Sequence, residues 1–238
     1  MKRFVSIFAV VFILGFFGTM NLARGQSTEK SFQISDDLSL SVGYRLWVAD
    51  WQTWTFCIDG VCGATSDLRP ASLPSAALKY KDFFVSVGFL FAPKFSFDAG
   101  FDATRWESDV NLGYYLLPGL AVVIGYKGVH QNFEGAKFNF NGPIGGLVAN
   151  APLGSGFSLY ANGGGGYLWL RSPCDSCKYG IYGNVDAGLA YKIPNWPLSF
   201  TAGYRFQYVG THFKSSVSTQ TGNDFTKGAI LGISWTLF

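Results

Sequence analysis

The chain has 238 residues and a formal net charge of +3, with 18 Lys and Arg set against 15 Asp and Glu. Aromatic residues make up 18% and Gly numbers 30, while only 14% of residues are charged, against about 25% in an ordinary soluble domain. A chain this poor in charge gives no support to nucleic-acid binding or to long-range capture of an anionic partner.

The N-terminus reads as an export signal. Lys2 and Arg3 precede an apolar run from Phe4 to Gly18, and small residues follow at Ala23 and Gly25. That is the pattern of a secretory signal peptide, residues 1–25, cleaved after Gly25. The run is 15 residues long, short of the roughly 20 a spanning helix needs. Gln26 rather than Cys follows the site, which argues against a lipoprotein anchor. Cleavage leaves a short periplasmic segment, 26–37, and one domain, 38–238. Lys2, Arg3 and Arg24 leave with the signal, so 15 basic residues face 15 acidic ones and the mature chain is neutral.

No mature segment approaches 18 consecutive apolar residues, so no helix is expected to cross a membrane. Lipid leaves one other option, a closed barrel in which every backbone group finds a partner. The dominant pattern agrees, because apolar and polar residues alternate with period two. Leu38, Leu40, Val42, Tyr44, Leu46 and Val48 share one face of the first strand, with Ser39, Ser41, Gly43, Arg45 and Trp47 on the other. Val110, Leu112, Tyr114 and Leu116 oppose Arg105, Glu107, Asp109 and Asn111, and Phe200, Tyr204 and Phe206 oppose Thr201, Arg205 and Gln207.

Ten strands follow, at roughly 38–50, 71–80, 83–91, 105–116, 120–131, 138–151, 157–170, 179–192, 198–209 and 226–238. Tight connections (Lys81-Asp82, Leu117 to Gly119, Pro152 to Gly156, Ile193 to Pro197) alternate with long ones (Asp50 to Pro70, Ala92 to Thr104, Asn132 to Lys137, Arg171 to Lys178, Gly210 to Asp224). Short periplasmic turns and longer outer loops are the asymmetry of bacterial barrels. The fold class is therefore all-β, a transmembrane antiparallel up-and-down barrel. Eight strands is the alternative, because Pro70 and Pro74 weaken the second strand and the sixth has a poor phase. Trp47, Trp51, Trp54 and Trp169 near the outer end, with Trp196 and Trp235 near the other, are expected to form two interfacial belts.

With the apolar stripe facing lipid, Arg45, Arg105, Glu107, Asp109, Lys127, Asp186 and Arg205 point into the lumen, with Ser158, Tyr160, Asn162, Asn184 and Gln207. Enclosed charges must pair, since an isolated buried ion is too costly. Such a network either plugs the barrel or lines a narrow pore. Gly163 to Gly166 lacks the Lys-Ser/Thr and following helix of a phosphate loop. It fits a bend or close strand approach better.

Cys57 with Cys62 and Cys174 with Cys177 form two local pairs in outer loops. In an exported chain they read as disulfides, the local connectivity being the simplest of three. His130 and His212 fall near the outer rim with Asp50 and Asp224 as the nearest acids, a position where a membrane-edge enzyme could act. No catalytic, cofactor or metal motif accompanies them. The outer loops also carry Trp51, Trp54, Phe56, Phe95, Phe97, Phe101 and Phe133, which points to loop–loop packing, lipid contact or a partner surface.

The last strand runs Ala229, Leu231, Ile233, Trp235, Leu237 on one face and ends at Phe238. This ending, with Gly232-Ile233-Ser234-Trp235 before it, resembles the terminal assembly signal of bacterial outer-membrane β-barrel proteins, the small OmpA/OmpX-like or ten-stranded kind. It departs in placing Leu237 where the family has its final aromatic, with Phe238 one beyond. The resemblance implies location in the Gram-negative outer membrane, contact with its lipid, and recognition of Trp235, Leu237 and Phe238 by the barrel assembly machinery; it implies no activity. The expectation is a non-enzymatic barrel with no cofactor, a mostly occluded salt-bridged lumen and disulfide-tied loops that meet an extracellular partner. A narrow porin-like channel is the alternative, and an enzyme at the rim a third reading.

Overall fold

The computed structural model describes residues 37–57, 60–92, 94–134, 136–170, 177–214 and 221–238, with side chains throughout except at 55–57 and 60–62. The signal peptide, nearly all of the segment 26–37 and Cys174 lie outside the described residues.

Twelve strands are present: β1 (Leu38–Cys57), β2 (Gly60–Thr65), β3 (Arg69–Tyr80), β4 (Phe83–Phe91), β5 (Phe95–Ser96), β6 (Asp102–Leu117), β7 (Leu120–Phe133), β8 (Ala136–Gly154), β9 (Phe157–Leu170), β10 (Cys177–Lys192), β11 (Leu198–Phe213) and β12 (Thr221–Thr236). Ten of them pair antiparallel in chain order. β12 returns to β1 in a register from Ser41↔Thr236 to Trp54↔Asn223, which closes the barrel. Beyond that register Leu237 N donates to Leu40 O at 2.7 Å and Leu40 N to Phe238 O at 3.1 Å, so the last residues seal the seam. The ten-strand reading holds, and the described residues contain no helix.

The long connections differ from expectation. β1 runs on to Cys57 and folds back as β2, with Thr55 opposite Cys62, so Asp50–Pro70 is largely a hairpin. β5 pairs with the start of β6 inside the Ala92–Thr104 stretch. The expected long connection Asn132–Lys137 is a tight reversal, with β7 ending at Phe133, β8 starting at Ala136 and Glu134 at φ 42°. In each case strand pairing continues past the apolar stripe, because the backbone groups beyond it still need partners.

At the opposite end the turns are short. Leu117-Pro118-Gly119-Leu120 is built for a type II turn: Pro presets φ before the apex and Gly119 takes φ 85°. A Cβ on Gly119 would lie 2.2 Å from Asn150 O, so this position needs glycine twice over. The glycine run of β9 fulfils its close-approach reading. A Cβ on Gly166 would meet Pro143 O at 2.2 Å, and one on Gly164 would meet Gly145 O at 2.9 Å, where β8 runs beside β9.

Period-two alternation sorts the side chains as expected. Val110, Leu112, Ile124, Leu147, Val185, Tyr204 and Leu231 stand exposed on the outer wall. The interior holds more apolar bulk than the polar residues alone suggested. One buried cluster joins Trp47, Ala49, Ala71, Leu73, Leu90 and Ile230; another joins Val129, Phe140, Leu168, Tyr182 and Val209. β8 has a poor sequence phase because it is apolar on both faces: Phe140 is buried inside while Leu147 is exposed outside. The belts also need correction. Trp47 and Trp51 are fully buried within the barrel, sharing the parity of Arg45, whereas Trp54, Trp106 and Trp169 are exposed toward the loop end and Trp196 and Trp235 toward the turn end.

Candidate functional site

The interior is organised around Glu107 on β6, whose side chain is wholly buried. Its carboxylate accepts Arg105 Nε at 2.6 Å and Gln207 Nε2 at 2.7 Å, and lies 2.8 Å from Lys127 Nζ. Lys127 also reaches Asp109 at 3.3 Å, and Asn111 donates to Asp109 at 2.8 Å. Arg105 donates a further bond to Thr226 at 3.0 Å, and Arg205 Nη2 donates to Gln207 Oε1 at 3.3 Å. Arg45 pairs with Asp186. The guanidiniums lie over aromatic rings, Arg205 at 5.1 Å from the Trp47 centroid and Arg105 at 5.5 Å from that of Trp51. All seven expected lumen charges point inward; Glu107 joins Arg105 and Lys127, through Lys127 Asp109 and through Gln207 Arg205, while Arg45 and Asp186 form a separate pair.

Two side-chain bonds join strands that stand opposite in the ring. β6 and β11 are five strands apart in either direction around the ten-membered ring, so the Glu107–Gln207 bond joins opposite walls. Toward the loop end Gln131 on β7 donates to Asp224 on β12 at 3.2 Å, again between opposite strands. Toward the turn end a cavity of about 340 Å³ opens, lined in part by Ser41, Ser86, Asn162, Asn184 and the Arg45–Asp186 pair.

Asp224 is the interior charge the sequence reading did not place inside. It is 7% exposed and holds the Trp51 indole N–H at 3.3 Å as well as Gln131. With it, four interior acids balance Arg45, Arg105, Lys127 and Arg205. The signal was available: Asp224 shares the parity of Thr226 and Ile230, opposite Leu231. Above this level Trp51, Ala64, Phe95, Phe97 and Ala103 form a buried cluster against which Phe101 and Phe133 pack. Most of the loop aromatics therefore pack on one another, as one of the three readings had it.

Exposed clamps tie the loops at this end. The Arg69 guanidinium beside Asp67 holds that carboxyl below its ordinary value of 3.8. The Lys94–Asp102 pair raises the ammonium and lowers the carboxyl.

The histidines are not brought to this site. His130 stacks on Trp106 with centroids 3.6 Å apart, its Nδ1 2.8 Å from Asn139 Oδ1, and His212 stacks on Tyr179. Both belong to the outer wall by alternation, whereas Asp224 faces inward, so His212 and Asp224 lie on opposite sides of the sheet. No group of three or more His, Cys, Asp or Glu is placed to hold a metal ion among the described residues. Cys57 and Cys62 sit on the β1–β2 hairpin, opposite Gly60 and Thr55, and their side chains lie outside the described set. Cys177 is buried at the start of β10.

No family model and no curated protein matches the chain. Among solved structures, it is similar to the outer membrane protease OmpT from Escherichia coli. The TM-score is 0.54 at 11% identity, covering 89% of this chain and 100% of that one. Weaker likenesses include the translocator domain of the autotransporter NalP from Neisseria meningitidis (TM-score 0.40, 14% identity, 97% of each chain) and Neisserial surface protein A (TM-score 0.34, 12% identity, 82% and 96%). At these identities the likeness concerns the backbone alone. The closed ring of ten antiparallel strands, apolar outside and charge-paired inside, has the fold of the bacterial outer-membrane β-barrels.

Proposed function

We propose that this protein is an outer-membrane barrel without enzymatic activity, whose lumen is closed to solutes and which holds its loop end at the cell surface for contact with an extracellular partner. The observation that carries the reading is the pair of side-chain bonds between opposite walls, Glu107–Gln207 and Gln131–Asp224. A ring of ten strands is narrow enough for side chains to meet across it, and the two apolar clusters fill the space beside the bonds. The signal peptide directs export and is cleaved after Gly25, and Cys57–Cys62 and Cys174–Cys177 disulfides tie the loops. Trp235, Leu237 and Phe238 engage the assembly machinery.

The turn-end cavity, with Lys127, Arg45 and Asp186 on its wall, favours a narrow channel as the second reading, since it already opens part of the lumen. Conductance of the refolded protein in a planar bilayer, with and without reductant, separates the two. We expect a silent bilayer from protein of verified fold. Steady ion-selective openings would overturn the closed lumen and assign transport to the charges around Glu107.

A further inference from the structure

The loop end holds a second cavity, of about 410 Å³, on the far side of the Gln131–Asp224 bond from the turn-end cavity. Its walls include the rings of Phe101, Phe133, Phe138 and Phe213 and the carboxylates of Asp224 and Glu134. The rings are inclined to one another: Phe101 and Phe133 by 55° at 6.2 Å between centroids, Phe133 and Phe138 by 84° at 5.8 Å. No Lys, Arg or His is among the described residues that line it. Arg105, which bonds Glu107 and Thr226 and acts on Asp224 only through space, is not on the wall. The groups that donate to Asp224 are neutral: the Trp51 indole and Thr53 hydroxyl from the adjacent β1, and the Gln131 amide from the opposite wall. Glu134 accepts the Asp102 backbone N–H at 3.0 Å and lies at the rim.

We propose that this cavity binds a small organic cation, an alkylated ammonium group, from the extracellular side. Several ring faces at different inclinations supply quadrupole attraction to a cation of low hydration. Two carboxylates, on a wall that carries no Lys, Arg or His among the described residues, supply the complementary charge. A metal ion is not the fit, because Ca²⁺ and Mg²⁺ need six or more converging oxygens rather than phenyl rings. An uncharged apolar ligand would satisfy the rings and leave both carboxylates of the wall without an ion partner inside the cavity. The volume falls in the range of small-molecule sites. Gln131 and Asp224 belong to the site's wall, whereas Glu134 stands clear of both cross-lumen bonds, so binding here and conductance are read separately, and failure of one reading leaves the other standing.

The test is calorimetric titration of the refolded full chain, in maltoside detergent, with choline and with its neutral isostere 3,3-dimethylbutan-1-ol. Choline is expected to bind saturably, and the isostere roughly tenfold or more weakly. Asp224→Asn and Glu134→Gln should each weaken choline several-fold and leave the isostere unchanged. Glu134 is exposed on a turn, so its variant keeps the test informative even if Asp224→Asn fails to fold. Equal binding of both probes would reduce the cavity to an apolar pocket and overturn the proposal, as would absence of saturable choline binding by folded protein. A second arm places the protein in phosphatidylglycerol nanodiscs with and without phosphatidylcholine. Weakened choline binding with phosphatidylcholine assigns a lipid headgroup as the source of the ammonium, and unchanged binding assigns a free cation; either result supports the site.

Discussion

Glu107 is wholly buried with Arg105 and Lys127 against it, and its worth depends on what is removed. Replacing a whole buried ion cluster with well-packed apolar residues is often neutral. Removing one partner strands the others and costs about 3–5 kcal/mol. Glu107→Gln keeps the shape and leaves two buried cations short of a carboxylate, so it should lower stability by an amount of that order. Urea unfolding followed by tryptophan fluorescence reads this directly, because Trp47 and Trp51 lie against the same guanidiniums. Arg105→Met, which strips Glu107 of its nearest partner, should act in the same direction. Asp67→Asn, whose Arg69 pair stands in solvent, should leave the midpoint in place. An unchanged midpoint in both interior variants would mean that the interior charges are not coupled. That these residues point inward was legible from parity alone. Their partners were not, since Arg105 and Glu107 sit on one strand while Gln207 lies 100 positions further on.

Single strands were legible wherever one face is apolar and the other polar, as in β6 and β11. β8 was not, because Phe138, Phe140 and Ile144 pack against an interior cluster while Leu147 meets the outside, which erases the alternation. β2 and β5 left no signal, since a two-residue strand such as Phe95–Ser96 exists only through its partner on β6. Turns were legible through their chemistry. Gly119 combines φ 85° with a backbone oxygen where a Cβ would stand, whereas Gly100 has φ 82° and nothing within 4 Å. Gly119→Ala should therefore cost more than Gly100→Ala, which isolates the backbone strain of about 1 kcal/mol. The difference between their unfolding midpoints measures the clash, and equal midpoints would show that the Asn150 carbonyl gives way freely.

The barrel as a whole depends on one seam. β12 pairs with β11 on one side and β1 on the other, and Leu237 and Phe238 add two backbone bonds to Leu40. Deleting Leu237 and Phe238 removes both bonds and the end of the proposed assembly signal. The fraction of chain reaching the compact form, seen as the faster band of unheated samples on a denaturing gel, should fall several-fold. An undiminished compact band would place the assembly signal elsewhere on the strand.

The sequence by itself determined the ten strands of the ring, the turns at its short-turn end and the wall faced by residues of strands with one apolar face, because a period of two and the needs of Pro and Gly are local properties of the chain. Only the tertiary structure decided that Glu107 meets Gln207, that Gln131 meets Asp224, and that four phenylalanines and two carboxylates share one mouth. Those meetings depend on which strands stand opposite after the ring closes, and closure is set by β1 finding β12 from the far end of the chain.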